Sequence, residues 1–269
     1  MARQTYGYLS IPERAPKPRR VGCTLVQDKG TSHDGLEAVF RTVGGWIDYY
    51  KPSSMYHAIF EESFTSSKLQ LALHYDIKPF MGGNVLELAY LQGVLEAHLD
   101  YTKDHGWKAI EISETYVQLP EALKLQLIER YASEGLEVFY EWGEKTPSQP
   151  LDPDAAAADI ERYLRAGVSV AILEQGEIDL LVGQDGRALH ADRLKALFER
   201  IGPERLMIES TSQAQLGWFM REMGTAVNVG NVALDQAAEI EALRRGIGRA
   251  VDYSIYDPWL AEPPRTGDS

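Results

Sequence analysis

Four glutamates each close a short apolar run: Glu111 in KAIEI, Glu141 after VFY, Glu174 after AIL and Glu209 after LMI. A carboxylate there is costly to bury unless it is paired or bound to a metal. Three lysines fall at comparable places, Lys29, Lys51 and Lys145. The set reads as a ring of carboxylates and ammoniums around a divalent metal and a small anionic substrate. Donors that are all oxygen suit Mg²⁺. For any one glutamate the plain alternative is a strand that ends where solvent begins; the set of four with three lysines favours chemistry. The other candidate strand ends offer Gly82, Gly83, Ser113, Asn228, Gly230 and Asn231 for substrate contact. The six histidines, at 33, 57, 74, 98, 105 and 190, form no HxxxH pair and no HExxH, so no histidine metal site is expected. His98 and His105 read as surface residues, Cys23 as a buried small hydrophobe, and Arg244-Arg245 as a solvated face. Trp218 and Phe219 read as core or as a subunit contact.

These residues need a scaffold that brings strand ends together. Strand-like runs stand at 21–27, 46–50, 77–81, 108–112, 136–140, 168–173, 205–208 and 226–229. Helix-like runs separate them, at 34–43, 61–74, 85–105, 120–134, 154–165, 191–201, 212–223 and 235–246; the stretch 174–190 reads as a longer loop. Alternating units favour a parallel sheet, because each parallel connection needs a crossover. Eight units in this length suggest a single-domain α/β fold, a (β/α)8 TIM barrel, whose C-terminal strand ends build the active site. The alternative is an open doubly wound sheet; neither a Walker loop nor GxGxxG is present to support it. The expected organisation is an N-terminal extension at 1–20, the barrel at 21–250 and a C-terminal tail at 251–269, Pro-rich after Tyr256 and irregular at its end.

The whole chain has 269 residues, 44% hydrophobic and 25% charged, which excludes a wholly disordered protein. With 27 Lys+Arg against 40 Asp+Glu its formal charge is −13. That disfavours nucleic acid and anionic membranes as partners. One cysteine excludes an intramolecular disulfide and suits a reducing, cytoplasmic location. The N-terminus does not read as a secretory signal, and no apolar stretch approaches the ~20 residues of a membrane span.

The blocks KPRRVGCTLVQDKG at 17–30, GGWIDYYK at 44–51, GGNVLELA at 82–89, GWKAIEIS at 106–113 and GLEVFYEWGEK at 135–145 resemble the phosphosulfolactate synthase family. So do ILE at 172–174, SQAQLGWFMREMGTAVNVGNVAL at 212–234 and EALRRGIG at 241–248. The resemblance implies a (β/α)8 barrel that joins sulfite to phosphoenolpyruvate with Mg²⁺, in coenzyme M synthesis, as a homo-oligomer, specifically a trimer. It implies that Lys145 protonates the carbon bearing the phosphate, with Lys29 and Lys51 the other lysines of the site. It also implies that Glu111, Asp28 and Glu141 hold the metal directly or through water. Three stretches depart from the family pattern. KFGWGTS after strand two is here Lys51-Pro52-Ser53-Ser54-Met55-Tyr56-His57, and a lysine pair after strand five is Glu144-Lys145. An arginine and a serine near the strand-six glutamate give way to Glu174-Gln175-Gly176-Glu177. Two functions follow as expectations: a Mg²⁺-dependent lyase of this type whose substrate has changed, or a barrel that has lost the chemistry and serves in binding or stress.

Overall fold

The structure, a computed structural model, describes residues 5–261. The strands are β1 (Thr24–Asp28), β2 (Tyr49–Pro52), β3 (Lys78–Met81), β4 (Ala109–Ile112), β5 (Glu137–Trp142), β6 (Val168–Leu173), β7 (Leu206–Glu209) and β8 (Asn228–Ala233). They pair in sequence order, all parallel, and β8 closes on β1. The helices are α1 (His33–Val43), α2 (Ser54–His57), α3 (Glu62–His74), α4 (Gly83–Leu91), α5 (Leu95–Asp104) and α6 (Glu121–Ser133). They continue with α7 (Pro153–Ala166), α8 (Gln175–Leu181), α9 (Ala191–Ile201), α10 (Gln213–Glu222), α11 (Ala237–Arg244) and α12 (Asp257–Ala261). The eight-stranded closed barrel is the fold expected from the alternating pattern. No helix among the described residues is long and apolar enough to cross a membrane.

Four local readings are corrected. The single helix at 85–105 is two helices, because Gly93 takes a positive φ of 70° that ends the first. The loop at 174–190 contains α8, while the tail's expected irregular end lies outside the described residues. Strand eight begins at Asn228 and ends at Ala233, where the sequence pattern placed 226–229. The fourth correction is β2, which starts at Tyr49 because Gly44–Trp46 makes a 3-10 turn first.

Two apolar layers hold the barrel. The outer one packs helices on the sheet and includes Val26, Tyr50, Ile110, Val138 and Ile208 from the strands and Leu36, Leu69, Ile128, Ile160 and Phe219 from the helices. The inner one fills the barrel with Cys23, Leu25, Tyr49, Phe80, Ala109, Phe139, Ile172 and Met207. Its aromatic rings meet edge to face, Tyr49–Phe139 at 5.2 Å and Phe80–Phe139 at 4.9 Å between centroids. The interior is therefore a packed plug, and chemistry is confined to the mouths. The N-terminal extension straps the far mouth: Arg19 Nε lies 3.0 Å from Asp48 Oδ1, and Arg14 pairs with Glu241.

Arg244 is buried and donates to the carbonyls of Cys23 (3.2 Å) and Thr225 (2.5 Å), so it braces that end and is no solvated face. Trp218 and Phe219 are both buried. His98 is buried too, against its surface reading, with Nδ1 2.8 Å from the Tyr131 hydroxyl. Burial holds its imidazole down at about 4. The unfolded chain takes up this proton near pH ~6.5 while the folded chain refuses it. The stability His98 contributes as a neutral group is complete above that value and falls as pH drops toward 4. Denaturation midpoints measured across pH 7 to 4 are expected to lose up to about 3 kcal/mol from this residue, and His98→Gln to flatten that limb. An unchanged limb in the variant would assign the acid sensitivity elsewhere.

Candidate active site

Along a barrel strand every second side chain faces inward. Two residues beyond the plug residues Leu25, Tyr49, Phe80, Ala109, Phe139, Ile172 and Met207 stand Gln27, Lys51, Gly82, Glu111, Glu141, Glu174 and Glu209. The layer above the apolar plug is thus polar, and it forms the floor of a cavity of about 590 Å³ at the C-terminal mouth. Lys29, Lys51, Gly82, Gly83, Glu111, Glu141, Lys145, Glu209 and Asn231 all line it, as read from the sequence.

The floor is a network of opposed charges. Lys51 Nζ is 2.5 Å from Glu111 Oε2 and donates at 3.1 Å to Asn231 Oδ1. Asn231 in turn donates to Glu209. Lys145 reaches from the rim to Glu174, with Nζ 3.1 Å from Oε2; it does not pair with Glu144. Glu141, Glu174 and Glu209 each offer a carboxylate oxygen, and the three oxygens lie within 4.8 Å of one another. Crowding of this kind raises carboxyl pKa values. Burial and the adjacent Glu111 push Glu141 far above the usual range. Burial, Glu174 and Glu111 push Glu209 up against the opposing pull of Lys51. A divalent cation would relieve this repulsion, and the all-oxygen donor set is the kind Mg²⁺ takes, so the residues fit that ion. Burial works to lower the Lys51 and Lys145 ammoniums, but the glutamates around them prevail and both are raised.

Asn231 owes its position to the backbone. Its φ is +53°, and the β1–β8 register slips between Thr24/Val229 and Val26/Val232. The extra residue is a β-bulge, a device that re-aims a side chain next to a site.

Loops on the rim are fixed by two glutamates that the sequence reading missed. Buried Glu87 on α4 accepts from Ser113 Oγ (2.5 Å) and from the backbone N–H groups of Thr115 (3.0 Å), Tyr116 (2.7 Å) and Val117 (3.0 Å). Glu177 on α8 accepts from the N–H of Glu144 at 3.0 Å and so holds the turn before Lys145. Gly176 lets this turn approach: a Cβ there would lie 2.3 Å from the Lys145 carbonyl oxygen. The sequence signal was a glutamate in an apolar stretch for Glu87 and one in an expected loop for Glu177, and neither says anything about its partners.

Four expected contacts fall elsewhere. Asp28 stands on the opposite parity from Gln27 and faces outward, where its Oδ2 accepts from Lys68 and Tyr50 (2.6 Å) and its Oδ1 from the N–H groups of Gly30 and Thr31. It is not a ligand of this cradle. Asn228 opens β8 at the far mouth, where its Oδ1 accepts from Cys23 N at 2.8 Å and its Nδ2 donates to the carbonyls of Pro203 and Leu206. Ser113 is fully buried behind the wall, donating to Glu87. Gly230 is packed against Met207, whose sulfur would meet a Cβ at 2.9 Å. Glu111 is at the floor, but as the ion-pair partner of Lys51 beside the three-glutamate cradle.

Residues 12–249 match the family described as (2R)-phospho-3-sulfolactate synthase (ComA). The chain is 28% identical over 240 residues to a phosphosulfolactate synthase of Methanothermobacter thermautotrophicus, covering 88% of this chain and 93% of that one. It is 23% identical over 266 residues to the protein HEAT-STRESS-ASSOCIATED 32 of Arabidopsis thaliana, covering 88% and 91%. Among solved structures, a type I 3-dehydroquinate dehydratase of Clostridium difficile is similar in fold, with a TM-score of 0.54 at 12% identity over 89% of this chain and 96% of that one.

Proposed function

The chain belongs to the (2R)-phospho-3-sulfolactate synthase family, and from that premise we propose that it is a Mg²⁺-dependent lyase of this type, adding sulfite or another nucleophile to phosphoenolpyruvate or a related enol-type acceptor. One observation carries the reading: three glutamates within 4.8 Å of one another share a barrel mouth with Lys51 and Lys145. Held by Glu141, Glu174 and Glu209, Mg²⁺ would supply Lewis-acid stabilisation to the acceptor's carboxylate, where negative charge collects. The nucleophile's lone pair forms the new bond to the terminal carbon, and the π electrons of the enol move toward that carboxylate. Lys145 then delivers a proton to the adjacent carbon. It suits this step because it stands at the rim, carries its proton at neutral pH and is tethered by Glu174. Lys51, paired with Glu111 and donating to Asn231, orients the anionic end.

The test uses Mg²⁺, phosphoenolpyruvate and sulfite in D₂O, with the product read by mass spectrometry. A product with one deuterium on the phosphate-bearing carbon is expected, even if formed slowly. Lys145→Met is expected to lower its rate by ~10²–10⁴, the usual range for a lost general acid. A variant that keeps the parent's rate would return Lys145 to the rim and move the donor to Lys29 or Lys51. A second reading, a barrel that binds without turnover, is favoured by the plant stress-associated relative. Mg²⁺ binding with no bond formation from any enol acceptor would establish it.

A further inference from the structure

The cavity has two unlike halves. Its floor carries Lys51, Glu111, Glu141, Glu209 and Asn231, whereas one wall is apolar: Met55, Tyr56, Leu88, Leu91, Tyr116 and Val117. Five of the six are solvent-exposed, Leu91 at 64% and Tyr116 at 81%. They come from α2, α4 and the loop after β4, and Leu88 and Leu91 share the α4 face that also turns Asn84 and Glu87 to the cavity. Spacing by three and four residues places these side chains on one stripe of the helix. Glu87 fixes the opposite loop against α4, so this wall is held in shape rather than draped. At about 590 Å³ the cavity is in the range of sites that take ligands larger than a three-carbon acid.

The charges tell against a phosphate. No arginine is among the described residues that line this cavity. Lys51 and Lys145 are already paired, with Glu111 and Glu174. Three lysines and one divalent ion set against Glu87, Glu111, Glu141, Glu174 and Glu209 leave no net charge to attract a dianion. One carboxylate brought to the metal is accommodated; a further phosphate dianion would face glutamates.

Resting on the metal-dependent reading above, we infer that the acceptor is a singly charged enol-type acid with an apolar arm, its carboxylate at the glutamate cradle and its arm along the Leu88–Leu91 wall. The arm replaces the phosphate as the handle by which the acceptor is held and oriented.

The experiment is calorimetric titration of the full chain with Mg²⁺, then with pyruvate, 2-oxobutanoate, 2-oxohexanoate and phosphoenolpyruvate. The 2-oxo acids offer a carboxylate and an adjacent oxygen, as an enolate would. Burial of each methylene is expected to tighten binding about fourfold, so 2-oxohexanoate, with three more methylenes, should bind roughly 60-fold more tightly than pyruvate and more tightly than phosphoenolpyruvate. The double variant Leu88→Ser/Leu91→Ser, on an exposed helix face, should keep the affinity for pyruvate and lose the chain-length gain. Mg²⁺-dependent binding that is flat along the series, or strongest for phosphoenolpyruvate, overturns the inference and leaves the metal-dependent reading standing. A steep series with no Mg²⁺ binding upholds the arm and overturns that reading. No binding of any 2-oxo acid to a chain that does bind Mg²⁺ overturns the inference alone. If the double variant dissociates an oligomer on sedimentation while the series stays steep, the wall is a subunit contact and the inference is overturned.

Discussion

Replacing Glu209 by glutamine is expected to weaken Mg²⁺ binding by at least one to two orders of magnitude and, in the metal-free protein, to raise the melting temperature. Both directions follow from one geometry. Glu209 is buried and shares its site with Glu141 and Glu174. Losing one anionic oxygen donor from such a cradle should cost at least as much as the ~10–100-fold typical of losing an outer-shell partner of a metal ligand. Without the ion the same carboxylate is a liability. Its pKa in the folded chain is raised by burial, with Glu174 and Glu111 adding to the effect. The unfolded chain releases that proton near pH ~4.3. Above that pH the folded chain must either keep a proton the unfolded chain has lost or hold a crowded negative charge. The destabilisation is absent in acid and grows as pH rises through the folded pKa. Glutamine removes it and can still accept from Asn231 through its amide oxygen. Titration with Mg²⁺, together with melting curves at pH 5 and pH 8 with and without the ion, checks both. A variant that melts lower than the parent at pH 8 without metal would show that the carboxylate is satisfied there, and would remove the cradle as an ion site.

The second large effect lies outside the mouth. Lys68→Met is expected to destabilise the protein by ~3–5 kcal/mol, the usual result of removing one partner of a buried ion pair. Asp28 and Lys68 have fully buried side chains and are paired directly. Removing the ammonium leaves a carboxylate with the Tyr50 hydroxyl and the Gly30 and Thr31 N–H groups but no countercharge. At this chain length that energy corresponds to a fall in melting temperature on the order of 10 °C. The double variant Lys68→Met/Asp28→Asn should recover most of the loss, because it removes the charge along with its partner. Mg²⁺ affinity should be unchanged in both, since Asp28 faces away from the cavity. The pair also has a signature in acid. Burial alone would raise the Asp28 carboxyl, but hydrogen bonds from Lys68, Tyr50 and Thr31 outweigh it and hold the group at about 2. The unfolded value is ~3.9. The contribution is therefore complete above that pH and is lost as pH falls toward 2. A single variant that melts within a degree or two of the parent would show that the pair contributes little. Altered Mg²⁺ affinity in the double variant would return Asp28 to the site.

The four glutamates were legible because each follows an uninterrupted apolar run, and a parallel strand buried on both faces leaves such a run. Lys51 and Lys145 were legible for a related reason: Lys51 lies near the end of β2 and Lys145 follows β5 by a short turn. Asp28 and Asn228 met the same sequence criterion and failed in space. Asp28 is one residue from Gln27, and one residue along a strand turns a side chain from the barrel interior to the helix layer. Because both layers are apolar here, Leu25 and Val26 look alike in sequence, and nothing local marks which is inside. Asn228 was misplaced because β8 starts two residues later than its valines suggest, which moved the residue from the end of a strand to its beginning.

Sequence by itself therefore determined the barrel, the order of its strands and the chemical character of its mouth: carboxylates and lysines at the ends of buried strands, with no histidine or cysteine to compete. Those features depend on composition and period, which are properties of short stretches. Tertiary structure alone decided which of those groups meet. Closure of β8 on β1 set the inward parity of every strand, the bulge at Asn231 turned an amide between Lys51 and Glu209, and Glu87 and Glu177 reached across from helices to hold the loops of the rim. Each of these joins residues distant along the chain. Their distances are set by the register of the closed sheet, and no local pattern encodes that register.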